Sequence, residues 1–104
     1  MNLNTPQINS LVTALLAIKN QAEMKKFLRD LLTEEEIIEF GKRWQAAQML
    51  NAQIPYSEIV KKTGLSSTTV ARVAKWLKTG LGGYRLVLGR LTHHSNPSFG
   101  KGLS

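Results

Sequence analysis

The sequence contains no cysteine. That excludes a disulfide framework and any thiolate zinc site, and it fits a reducing compartment. No apolar run approaches the roughly 20 residues that a membrane-spanning helix needs. Met1 to Pro6 lack the basic stretch and apolar core of a signal peptide. A cytoplasmic chain is expected. Strand signals are missing too: no segment alternates strictly, and Val, Ile and Thr never cluster between hairpin turns. The expected fold class is all-α. Histidine occurs only as the adjacent His93 and His94, in a stretch rich in Ser, Asn and Gly with no third ligand nearby. Such a pair is read as solvated, so no metal is expected. With no cysteine nucleophile and no histidine beside an acid, no catalytic constellation emerges, and neither an enzyme nor a cofactor is expected.

Acidic side chains are scarce in one part of the chain. Residues 1–40 hold four basic and six acidic groups, a net of −2, whereas residues 41–104 hold ten basic groups against the lone Glu58, a net of +9. Segregation of this kind points to a polyanionic partner for the C-terminal part.

What is present is helical periodicity. Ile8, Leu11, Val12, Leu15, Leu16 and Ile18 mark a first helix, and Met24, Phe27, Leu28, Leu31 and Leu32 a second. Thr33 followed by Glu34, Glu35 and Glu36 is a helix start, with Glu36 placed to reach back to the cap and three carboxylates at the positive helix end. That third helix should run through Ile37, Phe40, Trp44, Ala47 and Leu50 to about Gln53. A short fourth helix begins at Pro55 and ends near Thr63–Gly64, and a fifth covers about Ser66 to Lys78. Gly80, Gly82 and Gly83 form a flexible joint, and Tyr84 to Leu91 make the last helix. Residues 1–91 are expected to be one helical domain, with residues 92–104 a disordered tail. Trp44 and Trp76 lie in apolar stripes, which suits core or subunit packing better than base stacking.

The segment from Tyr56 to Leu77 carries the functional signal. Ile59 and Val60 put apolar bulk on the inner face of its first helix. Gly64 stands where the chain leaves that helix, Leu65 plugs the turn and Ser66 can cap the next helix. Val70, Val73 and Leu77 give that helix its buried stripe, leaving Ser67, Thr68, Ala71, Arg72 and Lys75 outward. A helix that enters the major groove needs this kind of face, small and polar at its N-terminal end. Lys61, Lys62, Lys75 and Lys78 can neutralise flanking phosphates, Ser57 and Ser66 join the candidate DNA-binding residues, and Arg72 can reach guanine in bidentate fashion or serve a ligand pocket. The reading is a helix-turn-helix regulator of transcription that binds double-stranded DNA. The alternative is a protein-interaction module docking on an acidic partner of the transcription machinery. Against it, Ser67, Thr68 and Ala71 supply no aromatic or aliphatic anchor. RNA is disfavoured by the lack of exposed stacking aromatics in the basic half.

Leu31-Leu32-Thr33-Glu34-Glu35-Glu36, Gly41-Lys42-Arg43, Gly64 and Thr69-Val70-Ala71-Arg72 together resemble the Trp repressor family, especially its Trp-repressor-related (YerC/YecD-like) branch. The likeness covers roughly Met24 to Leu91, with about one residue missing before Pro55. It implies a six-helix protomer in an intertwined homodimer, with DNA half-sites about one helical turn apart. It also implies an effector pocket to which Thr33, Arg43, Thr69 and Arg72 correspond. Arg43 can instead pair with Glu39, four residues earlier. The chain departs from the family at Val73, where Trp repressors carry glycine. An isopropyl group there should crowd an indole, so an effector other than tryptophan, or none, is expected.

Overall fold

The structure, a computed structural model, describes residues 1–95, with side chains as far as Thr92. Among the described residues there are six α-helices and no strand. They are α1 (Pro6–Leu16), α2 (Gln21–Leu31), α3 (Glu34–Asn51), α4 (Tyr56–Thr63), α5 (Ser67–Thr79) and α6 (Gly83–Ser95).

The starts are set by side-chain caps, each satisfying a backbone N–H that no helix turn can reach. Thr5 accepts from the Ile8 N–H at 3.2 Å, with Pro6 opening α1, and Asn20 accepts from the Glu23 N–H at 3.0 Å. At α3 the expected reciprocal box is formed: the Thr33 N–H donates to Glu36 Oε1 at 2.9 Å, and the Glu36 N–H donates to Thr33 Oγ1 at 3.1 Å.

Two ends differ from the sequence expectation. Helix α3 stops at Asn51 rather than Gln53, because Gln53 adopts a left-handed backbone with φ of 63°. The Ile54 N–H donates to the Met49 carbonyl at 3.0 Å and the Gln53 N–H to the Leu50 carbonyl at 2.9 Å. That pair of bonds is the Schellman closure, built here on glutamine where glycine is usual. Helix α6 continues to Ser95, four residues beyond Leu91, so the opening of the expected tail, Thr92 to Ser95, is helical. Residues 96–104 of that tail lie outside the described residues.

Packing divides the chain into two compact units, Met1–Ile38 and a second that begins at Glu39. In the first, neither α1 nor α2 has a buried residue, and Leu11, Val12, Leu16 and Leu31 are exposed. The second holds the core: Ala46 and Ala47 of α3, Ile59 of α4, Leu65 of the turn, and Val70 and Val73 of α5. The two alanines present almost no side chain, so α3 offers a smooth face to the branched residues opposite. Ile59, Val70 and Val73 are the largest fully buried side chains, each worth about 1.5–3 kcal/mol relative to exposure. Trp44, Met49, Leu50, Ile54, Val60 and Tyr84 pack around them, with the rings of Trp44 and Tyr84 stacked 6.3 Å apart. Trp76, expected in core or subunit packing, is 45% exposed in the protomer and so lies outside its core. Among the described residues no helix is long and apolar enough to cross a membrane.

A left-handed backbone at an L-residue costs about 1–2 kcal/mol, and glycine's extra freedom when unfolded returns part of any relief. Gln53→Gly should therefore raise the unfolding free energy by about 0.5–1 kcal/mol in urea titration. A lower value would mean that the glutamine side chain outweighs its backbone strain.

Candidate nucleic-acid interface

The candidate surface is built around the way α4 ends. Gly64 follows Thr63 with φ of 78°, and its N–H donates to the Val60 carbonyl at 2.9 Å. Residues with a Cβ tolerate this conformation poorly. Thr63 is buried, and its hydroxyl makes two bonds: it donates to the Ile59 carbonyl at 2.7 Å and accepts from the Leu65 N–H at 3.2 Å. One hydroxyl thus joins the last turn of α4 to the residue beyond the glycine. Leu65 then turns inward and is 5% exposed. Ser66 caps α5 by accepting from the Thr69 N–H at 3.1 Å, and its own hydroxyl donates to Thr69 Oγ1 at 2.9 Å.

From this start α5 is two-sided. Val70, Val73 and Ala74 are buried, and Leu77 is half-buried. Ser66, Ser67, Thr68, Ala71, Arg72 and Lys75 are all exposed, as are Ser57, Lys61 and Lys62 of α4. Each residue expected to approach DNA thus lies on the surface. Among the described residues the one ion pair is Arg43 with Glu39, so none of the cations of α4 and α5 is held in a close ion pair. At its far end α5 stops at Gly80, where a Cβ would lie 2.5 Å from the Trp76 carbonyl oxygen. The joint to α6, expected to be merely flexible, therefore has a steric requirement for its first glycine. Across it, the Arg85 guanidinium donates to the Lys78 carbonyl at 3.3 Å.

The four residues considered for an effector are differently placed. Thr33 belongs to the first unit and is committed to the α3 cap. Arg43, half-buried, donates through Nε to Glu39 Oε2 at 3.2 Å, the pairing that its spacing suggested. Thr69 is half-buried and bonded to Ser66, whereas Arg72 is exposed. The bond between Thr69 and Ser66 links an effector candidate to a DNA candidate. Val73, next to Arg72, is turned into the core and is 1% exposed.

Two residues escaped the sequence reading. Thr63 looked like one more polar residue at a helix end. Lys42 of α3 is distant in sequence, yet its Nζ lies 3.6 Å from where a Cβ on Gly64 would be. No local pattern signals either role, since both depend on which backbone comes near.

A family model for the Trp repressor protein matches residues 6–92. The chain belongs to the Trp repressor family. Membership makes it one of a family of DNA-binding regulators and agrees with the helix-turn-helix just described. This family member is 30% identical over 99 residues to the uncharacterised protein YerC of Bacillus subtilis (strain 168), covering 95% of each chain. A TrpR-like protein from Eubacterium eligens ATCC 27750 has the same fold with a TM-score of 0.83 at 36% identity, over 86% of this chain and 93% of that one. A Trp repressor candidate from Staphylococcus aureus follows at a TM-score of 0.82 and 31% identity, over 86% of this chain and 90% of its own.

Thr63→Val keeps the buried volume but leaves the Leu65 N–H without its acceptor. It should cost about 1–3 kcal/mol of stability in urea unfolding, whereas Thr63→Ser should stay within about 1 kcal/mol of the parent. Equal stability of Thr63→Val and the parent would show that the hydroxyl does not hold the turn.

Proposed function

We propose that the protein is a homodimeric, sequence-specific regulator that binds double-stranded DNA and represses transcription. The observation that carries this reading is the outer face of α5: small side chains at its capped N-terminal end, Arg72 and Lys75 behind them, all exposed. Small groups let the backbone and hydroxyls approach base edges, and the cations address bases and phosphates. The surplus of basic residues after position 40 supplies the long-range attraction.

The homodimer is supported by the apolar surface that the protomer leaves uncovered. Neither α1 nor α2 has a fully buried residue, and Leu16 is 80% exposed. In the second unit, Trp44, Trp76, Tyr84 and Val87 line a groove of about 860 Å³ with Lys75 at its edge. Contiguous apolar surface of this kind marks an interface, and a second copy supplies a matching one.

Any effector differs from tryptophan. Val73 fills the space that a glycine would leave beside Arg72, and Arg43 is already paired with Glu39. Forcing an indole against a packed isopropyl group costs about 1–3 kcal/mol. Calorimetry with L-tryptophan at micromolar concentrations should therefore show no saturable heat; a saturable isotherm would overturn this part of the reading.

The decisive experiment is selection of bound duplexes from a random library at about 150 mM salt, followed by sequencing. The expected result is a two-fold symmetric motif with half-sites about 10 base pairs apart. Failure to enrich any sequence, with and without cell extract, would instead favour a protein partner for the basic face. On the selected duplex, Lys75→Ala should weaken binding and make the salt dependence shallower by about one phosphate contact. Unchanged affinity and slope would refute this docking geometry.

A further inference from the structure

The helix-turn-helix is not the whole of the basic surface. Lys42 comes from α3, outside the motif, and its Nζ approaches to 3.6 Å from the Cβ position of Gly64. Gly64 stands two residues before the cap of α5, at the end of that helix which reads base edges in a helix-turn-helix. The ammonium therefore sits beside the turn, where Lys61 and Lys62 already occupy the last turn of α4.

The environment of Lys42 narrows its role. Its side chain is half-buried, so part of the flexible stem is held against the protein. Its head has no carboxylate and no hydrogen-bond acceptor within the described residues. In particular, it makes no bond to the free carbonyls at the end of α4, which a lysine capping that helix would seek. Three lysines around one turn repel each other unless an anion joins them. A cation with a restrained stem and an unpartnered head is arranged for a ligand from outside, since little conformational freedom remains to be lost on contact.

We propose that Lys42 is a DNA-phosphate contact supplied by α3, which fixes the duplex against the turn from outside the helix-turn-helix. The proposal rests on the DNA-binding reading above and adds a residue and a helix to it. Lys42 contacts the backbone, so it contributes to affinity on every sequence and not to the choice of base.

The test is the salt dependence of binding. Fluorescence anisotropy with a labelled duplex of mixed sequence, in KCl from about 50 to 200 mM, is measured for the parent, Lys42→Gln and Lys42→Arg. One lost phosphate contact lowers the slope of log K against log salt by about 0.9, so Lys42→Gln should lose about 3.5-fold less affinity than the parent across that range. Lys42→Arg should keep the parent's slope. A lysine that merely propped the turn would change the melting temperature and the affinity at every salt concentration, leaving the slope alone; that result overturns the proposal. Acetylation of the parent protein by a lysine-selective reagent, read by mass spectrometry, needs no variant to fold. Saturating duplex should slow modification of Lys42, and equal rates with and without duplex would also overturn the proposal. If the parent binds no duplex at all, the DNA-binding reading falls with it, whereas parental binding with an unchanged slope in Lys42→Gln removes Lys42 alone.

Discussion

The presentation of α5 depends on how α4 is stopped. If α4 ran one turn further, Leu65 would be carried round the helix axis and α5 would leave in another direction. Gly64 prevents this with a backbone conformation that an L-residue enters at a cost of about 1–2 kcal/mol. Its neighbour Thr63 then fixes the exit by holding the Leu65 N–H. With that bond made, Leu65 enters the core beside Ile59, and Ser66 is placed to cap the next helix. Four consecutive residues thus convert a local stop into the orientation of a surface helix. The turn can be this tight because Ala46 and Ala47 leave room for the two short helices against α3.

Apolar burial and charge are distributed differently along the chain. The second unit contains the buried cluster and most of the positive charge; the first contains most of the acids and no buried residue in either of its complete helices. A basic surface resists self-association, because like charges repel. Apolar faces favour it. Exposed apolar side chains occur in both units, Leu11, Val12 and Leu16 in the first and Trp76, Leu86 and Val87 in the second, so only the charge is segregated. The acids of α3 have a local task, since Glu34, Glu35 and Glu36 stand in its first turn, where the helix dipole favours negative charge.

Much of this was legible in the sequence wherever the deciding interaction was local. The Thr33–Glu36 box, the Ser66 cap, the left-handed Gly64 and the buried pair Val70 and Val73 all follow from spacings of three or four residues, which one helix turn brings together. Arg43 and Glu39 were readable for the same reason. Reading failed where glycine's job is done by another residue, as at Gln53, whose left-handed backbone no composition rule announces. At Trp76 the apolar stripe shows which face wants cover without showing what covers it: its 45% exposure excludes the core and leaves subunit packing open. The approach of Lys42 to Gly64 joins residues 22 positions apart and could be found only in three dimensions.

At the position after Arg72, stability favours a residue that fills the core, and Val73 does so at 1% exposure. A glycine there would contribute no apolar area to the core and would cost α5 about 1 kcal/mol in helix propensity. Valine, β-branched, removes only part of that penalty, but it adds a fully buried side chain beside Val70 and Ile59. On the proposed reading that isopropyl group takes the space an indole would need, and the packing of α5 through Val70 and Val73 is complete within the protomer. With α5 capped at Ser66, packed through Val70 and Val73 and stopped at Gly80, the parts that orient it lie within the chain itself. If the protein pairs as proposed, concentration-dependent association would set the fraction of paired α5 helices without any change inside the protomer.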